Sequence, residues 1–188
     1  YRDETLAAYP NDLPGVIDWI EAQRSTRYLF LKNIAYHVEG WDLGFAEAYR
    51  NFILIRDPRA MVASFSIKMS DAAPIAASYA VARALRERLA QKGLPCPVVD
   101  SADILAAPET MLRLLCSALG LEFDAAMLAW PPGARPEDGP WAPHWYDAVY
   151  ASTGFNRPVE KSVELTPAQE AIAATAAADF SILHEVRI

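Results

Sequence analysis

The 188-residue chain has little of what several function classes need. It carries two cysteines, Cys96 and Cys116, and three histidines, His37, His144 and His184, all widely spaced. No two of them stand at metal-ligand spacing, so neither a zinc-type centre nor a disulfide framework is supported. Two isolated thiols are expected to be buried and free, which fits a reducing compartment and a cytoplasmic chain. No Gly-x-Ser-x-Gly turn occurs, leaving a serine hydrolase without its nucleophile. No Gly-x-x-x-x-Gly-Lys-Ser/Thr stretch occurs either, so an ATP-using kinase lacks its phosphate cradle. No run reaches the ~20 apolar residues of a membrane span, and no signal peptide is visible. Basic residues number 17 against 24 acidic ones, with no basic block, so neither nucleic acid nor a membrane is expected as partner.

What is present suits a globular chain. The hydrophobic share is 53% and the charged share 22%, enough for one domain over residues 1–188 with a sizeable core. The net charge of −7 requires that any anion site be built from a few placed residues. The text opens without methionine in Tyr1-Arg2-Asp3-Glu4, so a segment upstream is expected to be missing.

The most informative stretch runs from Asn51 to Phe65. Phe52-Ile53-Leu54-Ile55 reads as a strand buried on both faces of a sheet. Arg56 ends it, Asp57 is a good N-cap, and Pro58 stands where a helix tolerates proline best. The result is a strand-to-helix turn with an arginine at the strand's carboxyl end. Open α/β sheets bind ligands at that edge, and a helix N-terminus favours an anion there by ~0.3–1 kcal/mol. Arg56 offers a planar fork for phosphate oxygens, and Ser64, eight residues on, offers a hydroxyl to the same anion. The plainer alternative is a surface arginine and a serine bonded back to its own helix.

Around this turn the pattern predicts a loop with a short helical piece to Pro14 and a helix over Val16–Gln23. A strand over Tyr28–Leu31 ends at Lys32. Loops and irregular or helical segments fill 33–50. A polar break over Lys68–Pro74 precedes an alanine-rich helix, Ile75–Lys92, closed by Gly93. The arginines of that helix, Arg83, Arg86 and Arg88, are expected to solvate its wet face and to make i,i+4 pairs. Pro97–Asp100 reads as a third strand, followed by a helix over Glu109–Leu119 and a short one within Phe123–Trp130. Thr166 and Gln169 form a capping box that opens a last helix, Pro167 to about His184. Three strands alternating with helices argue for an α/β fold with a parallel sheet. The span 131–146, dense in proline and aromatics, cannot be a regular element, and its tryptophans either stack on a ligand ring or staple the loop.

The segment Ile53–Phe65 resembles the 3′-phosphate-binding motif of sulfotransferases that use 3′-phosphoadenosine 5′-phosphosulfate (PAPS). There a strand ends in Arg-Asn/Asp-Pro-Arg/Lys and a serine follows eight positions after the first arginine. The resemblance extends over Tyr28–Phe155 and includes Asp103–Glu109 and Leu112–Leu121, a structural strand and helix in the family. It implies a three-layer P-loop-type fold with a central parallel sheet flanked by helices, and PAPS as sulfuryl donor to a hydroxyl or amine of a small-molecule acceptor. Arg56 and Ser64 would hold the 3′-phosphate, and Lys32 would contact the transferring group. His37, three positions later than the family's histidine, would be the base, a role a neutral imidazole suits. A loop histidine bonded to backbone or water is the alternative, and His144 is a second candidate base. Arg135 with Gly139-Pro140-Trp141 looks like a reduced form of the family's cofactor-closing loop, which would make Arg135 and Trp141 cofactor-binding. It has one basic residue where the family has two, and Ala142 replaces a lysine. Arg157 is a further cation. The family's Gly/Ser/Thr-rich phosphosulfate loop is not visible and is expected to lie, with its strand, upstream of Tyr1. A non-catalytic nucleotide- or anion-binding module, or an interaction scaffold, is the rival reading, and homodimer formation is left open.

Overall fold

The computed structural model describes residues 1–23, 28–156 and 164–188. In chain order the helices α1 (Arg2–Ala8) and α2 (Leu13–Ala22) come first, then strand β1 (Ile53–Ile55). Helices α3 (Pro58–Ser66) and α4 (Ala73–Gln91) lead to strand β2 (Val98–Asp100). They are followed by α5 (Ser101–Ala106), α6 (Pro108–Ala118), α7 (Ala142–Trp145), α8 (Asp147–Tyr150) and α9 (Pro167–Glu185). Short 3-10 helices occupy Ala35–Val38, Leu43–Ala48 and Ala125–Leu128. Contacts divide the chain into two units, Tyr1–Lys32 with Ala129–Gly154, and Asn33–Leu128 with Phe155–Ile188.

The larger unit is built on a parallel ladder in which Ile53 faces Val98, Leu54 faces Val99 and Ile55 faces Asp100. A parallel connection needs a long crossover, which α3 and α4 supply. Side chains alternate across the ladder. Ile53, Ile55 and Val98 pack with Ala76, Tyr79 and Ala82 of α4 and with Ala176 and Leu183 of α9. Val99 turns to the other face, against Met111 and Leu115 of α6. The second face is closed over β2 only, since Leu54 of β1 is 58% exposed. The expectation of a β1 buried on both faces is corrected accordingly: its apolar run is continuous, but only two of its three side chains are covered.

The architecture is therefore helix-rich α/β with a two-stranded parallel sheet among the described residues. The strand expected over Tyr28–Leu31, the first of the three in chain order, is not formed. That run belongs to no strand among the described residues, and Tyr28 and Phe30 are 62% and 72% exposed. Apolar character alone does not make a strand: a ladder must satisfy its backbone and a packed face must cover its side chains.

Two long helices frame the ladder. The expected capping box opens α9: the Thr166 hydroxyl accepts from the Gln169 amide, and the Gln169 side chain accepts from the Thr166 amide. Gly93 closes α4 at φ +68°, a conformation that suits glycine. Arg83 makes the expected i,i+4 pair with Glu87, and the α4 arginines also reach beyond their own helix. Arg83 Nε donates to Asp179 of α9 at 2.6 Å, and Arg88 reaches Glu47 at 2.8 Å and Asp42 at 3.0 Å.

The smaller unit is held by aromatic contacts and loop hydrogen bonds. Ala129 and Gly154 form an isolated antiparallel bridge, and the Gly133 amide donates to the Tyr150 carbonyl at 2.8 Å. Tyr9 meets both Trp19 and Trp141 at 5.7 Å, and Tyr1 lies 4.9 Å from His144.

Candidate functional site

The turn between β1 and α3 has the geometry its sequence implies. The Asp57 carboxylate accepts from the Ala60 amide at 2.9 Å, while the Asp57 carbonyl receives the first helical bond, from Met61, at 2.9 Å. Pro58 fills the first helical position and is buried, where its missing N–H costs nothing. Arg56 lies between the ladder and this cap, with an exposed side chain. Among the described residues, none forms an ion pair or hydrogen bond with its guanidinium. Its carbonyl, by contrast, accepts the hydroxyl of Tyr79 at 2.5 Å.

Ser64 is exposed on α3, whereas Val62, fully buried, turns to the core. The two differ by about 200° around the helix at 3.6 residues per turn. The arrangement leaves Arg56 and Ser64 both accessible to solvent. Arg59, next in the motif, is committed elsewhere, to Glu170 of α9 at 2.5 Å.

Tyr79 is the residue that sequence reasoning passed over. It is 6% exposed and meets Phe180 edge-on at 6.0 Å. Burial, then the Asp57 and Asp100 carboxylates, push its hydroxyl well above the usual 10, against the opposing effect of Arg56. The hydroxyl stays protonated and remains a donor. A lone tyrosine on the core face of an alanine-rich helix was the available signal.

His37 sits in the 3-10 helix Ala35–Val38, with its ring 4.3 Å from that of Tyr36. Partial burial lowers its pKa below 6.5, so the neutral imidazole prevails at neutral pH.

In the smaller unit, Lys32 Nζ lies 5.7 Å from the centre of the Tyr146 ring. Arg135 is exposed; its amide donates to Asp138 at 2.8 Å and its guanidinium to the Pro131 carbonyl at 3.2 Å. Trp141 is partly buried, its indole N–H donating to the Tyr146 hydroxyl at 3.3 Å. The span 131–146, expected to hold no regular element, includes the short helix α7, in which Pro143 takes an early position that tolerates proline. Arg157 falls outside the described residues.

A family model described as "Sulfotransferase domain" matches residues 1–178. The chain belongs to the sulfotransferase-domain family. Two curated proteins of Arabidopsis thaliana are similar to it. "Branched-chain-amino-acid aminotransferase-like protein 1" is 36% identical over 160 residues, 84% of this chain and 29% of its own length. "Branched-chain-amino-acid aminotransferase-like protein 2" is 35% identical over 161 residues, 84% of this chain and 28% of its own. The chain spans under a third of the length of these relatives. No solved structure gives a significant match. Among the described residues, no His/Cys/Asp/Glu group could hold a metal ion, and no helix is long and apolar enough to cross a membrane.

Proposed function

We propose that this sulfotransferase-family chain, as a P-loop-type α/β fold, takes PAPS as donor and serves transfer of its sulfuryl group to a hydroxyl or amine of a small acceptor. Arg56 and Ser64 hold the donor's 3′-phosphate. The observation that carries this reading is the β1–α3 turn: a capped helix start whose exposed guanidinium has no partner among the described residues, with an exposed serine eight residues on. Backbone order on both sides of Arg56 suits recognition of a fixed anion, because less freedom is lost on binding.

In the reaction, the acceptor oxygen or nitrogen bonds to sulfur as the bond from sulfur to the 5′-phosphate oxygen breaks. His37 takes the acceptor's proton, which its lowered pKa permits at neutral pH. For Lys32 as a contact to the transferring group, and for Arg135 and Trp141 as cofactor-binding residues, support comes from motif order alone. The aminotransferase-like names belong to proteins of which this chain matches less than a third. The family model that matches residues 1–178 is the sulfotransferase domain, which favours sulfuryl over amino transfer.

Calorimetric titration with 3′,5′-adenosine bisphosphate tests the reading. Arg56→Ala should weaken binding at least about tenfold, the cost of a lost charged hydrogen bond. Equal affinity in the two proteins would overturn the assignment.

A further inference from the structure

The peptide that carries Arg56 is fixed at three points. Ile55 is in register with Asp100 in the ladder, Asp57 is locked by its cap to Ala60, and the carbonyl between them receives the Tyr79 hydroxyl at 2.5 Å. The first two follow from the strand and the helix themselves. The third comes from α4, through a side chain buried among Ile53, Ile55, Ala76 and Val98 and set edge-on to Phe180 of α9. A buried tyrosine must find a partner for its hydroxyl. This one finds it at Arg56, whose guanidinium is exposed and has no ion-pair or hydrogen-bond partner among the described residues.

We propose that Tyr79 is a positioning residue for the anion site, its hydroxyl holding the Arg56 peptide so that the guanidinium departs from a fixed root. The inference rests on Arg56 being the 3′-phosphate contact. Long cationic side chains lose rotamer freedom when they bind. A root already ordered by a core hydrogen bond leaves less to lose, and it sets the direction from which the planar fork can meet a phosphate. Tyr79 never touches the ligand. Its contribution is confined to the phosphate that Arg56 reads, and this separates it from a merely structural role.

The experiment compares 3′,5′-adenosine bisphosphate with adenosine 5′-monophosphate, which lacks the 3′-phosphate, on the unaltered chain, Arg56→Ala and Tyr79→Phe. Tyr79→Phe keeps the ring and removes one oxygen. It should weaken the bisphosphate about three- to tenfold, the span of one hydrogen bond, and leave the monophosphate unchanged. Equal loss for both ligands, or no loss for either, overturns the positioning role. If the unaltered chain does not prefer the bisphosphate, or Arg56→Ala keeps the preference, the phosphate reading of Arg56 falls and the inference falls with it. If Arg56→Ala loses the preference and Tyr79→Phe retains it, the inference alone fails. Should Tyr79→Phe not fold, Phe180→Leu, which frees the tyrosine ring, carries the test: a smaller loss of the same preference supports the role, and full preference overturns it.

Discussion

Gly139 and the indole of Trp141 are in such close contact that a Cβ on the glycine would overlap the ring. A side chain there must displace the indole, which is also tied to Tyr146 through its N–H. Gly139→Ala is expected to cost about 1–3 kcal/mol in chemical denaturation, the range for overpacking. It should also shift the tryptophan fluorescence of the native protein to longer wavelength. An unchanged emission maximum and midpoint would show that the loop can absorb the methyl group.

The Asp57 cap ties the β1–α3 turn to the stability of α3. Asp57→Ala is expected to lower unfolding free energy by about 0.5–2 kcal/mol, as lost N-caps do, whereas Asp57→Asn keeps an acceptor and should stay close to the parent. Urea denaturation monitored by circular dichroism separates the two. Equal losses in both variants would mean that the carboxylate's charge, rather than its hydrogen bond to Ala60, stabilises the helix.

His37 should titrate below 6.5 in an NMR experiment on its ring protons, because partial burial disfavours the imidazolium. The sign for stability follows. Above 6.5 both the folded and unfolded states hold a neutral ring, and the group contributes no pH dependence. As pH falls from 6.5 towards the lower folded value, the unfolded state takes up the proton first and stability declines. His37→Gln should flatten that decline. A midpoint at or above 6.5 contradicts the assignment.

Leu183 of α9 is fully buried in the core between the ladder and α4. Leu183→Ala should cost about 2–5 kcal/mol, the transfer loss plus an unfilled cavity. Ile182, 45% exposed on the same helix, provides the control: Ile182→Ala is expected to change the denaturation midpoint little. Comparable losses at the two positions would indicate that α9 faces the core differently.

The sequence made the local features legible where the cause was itself local. Asp57-Pro58 announced a helix start, Thr166 with Gln169 announced another, and Gly93 marked a helix end, because each works through neighbours in the chain. Tyr28–Leu31 misled because its apolar character was real but the ladder and packing that make a strand are not encoded within four residues. Leu54 misled for a related reason: how many faces of a strand are covered depends on elements far along the chain. The Arg83–Asp179 bond joins residues 96 positions apart, and Tyr79–Arg56 joins residues 23 apart. No periodicity signals such pairings. The exposed Arg56 and Ser64 lay between these extremes, since the turn's chemistry was local and their accessibility was not.

The parallel pairing of Ile53–Ile55 with Val98–Asp100 also bears on how the chain reaches its native state. Strands joined side by side in the same direction cannot zip from a tight turn; the whole connection that holds α3 and α4 must be closed as one long excursion. Closing so long an excursion carries an entropic cost that local helix formation does not. Val98→Ala should therefore accelerate unfolding far more than it slows refolding in stopped-flow measurements. The edge that presents Arg56 would then be completed late, after most of the helical framework around it has assembled.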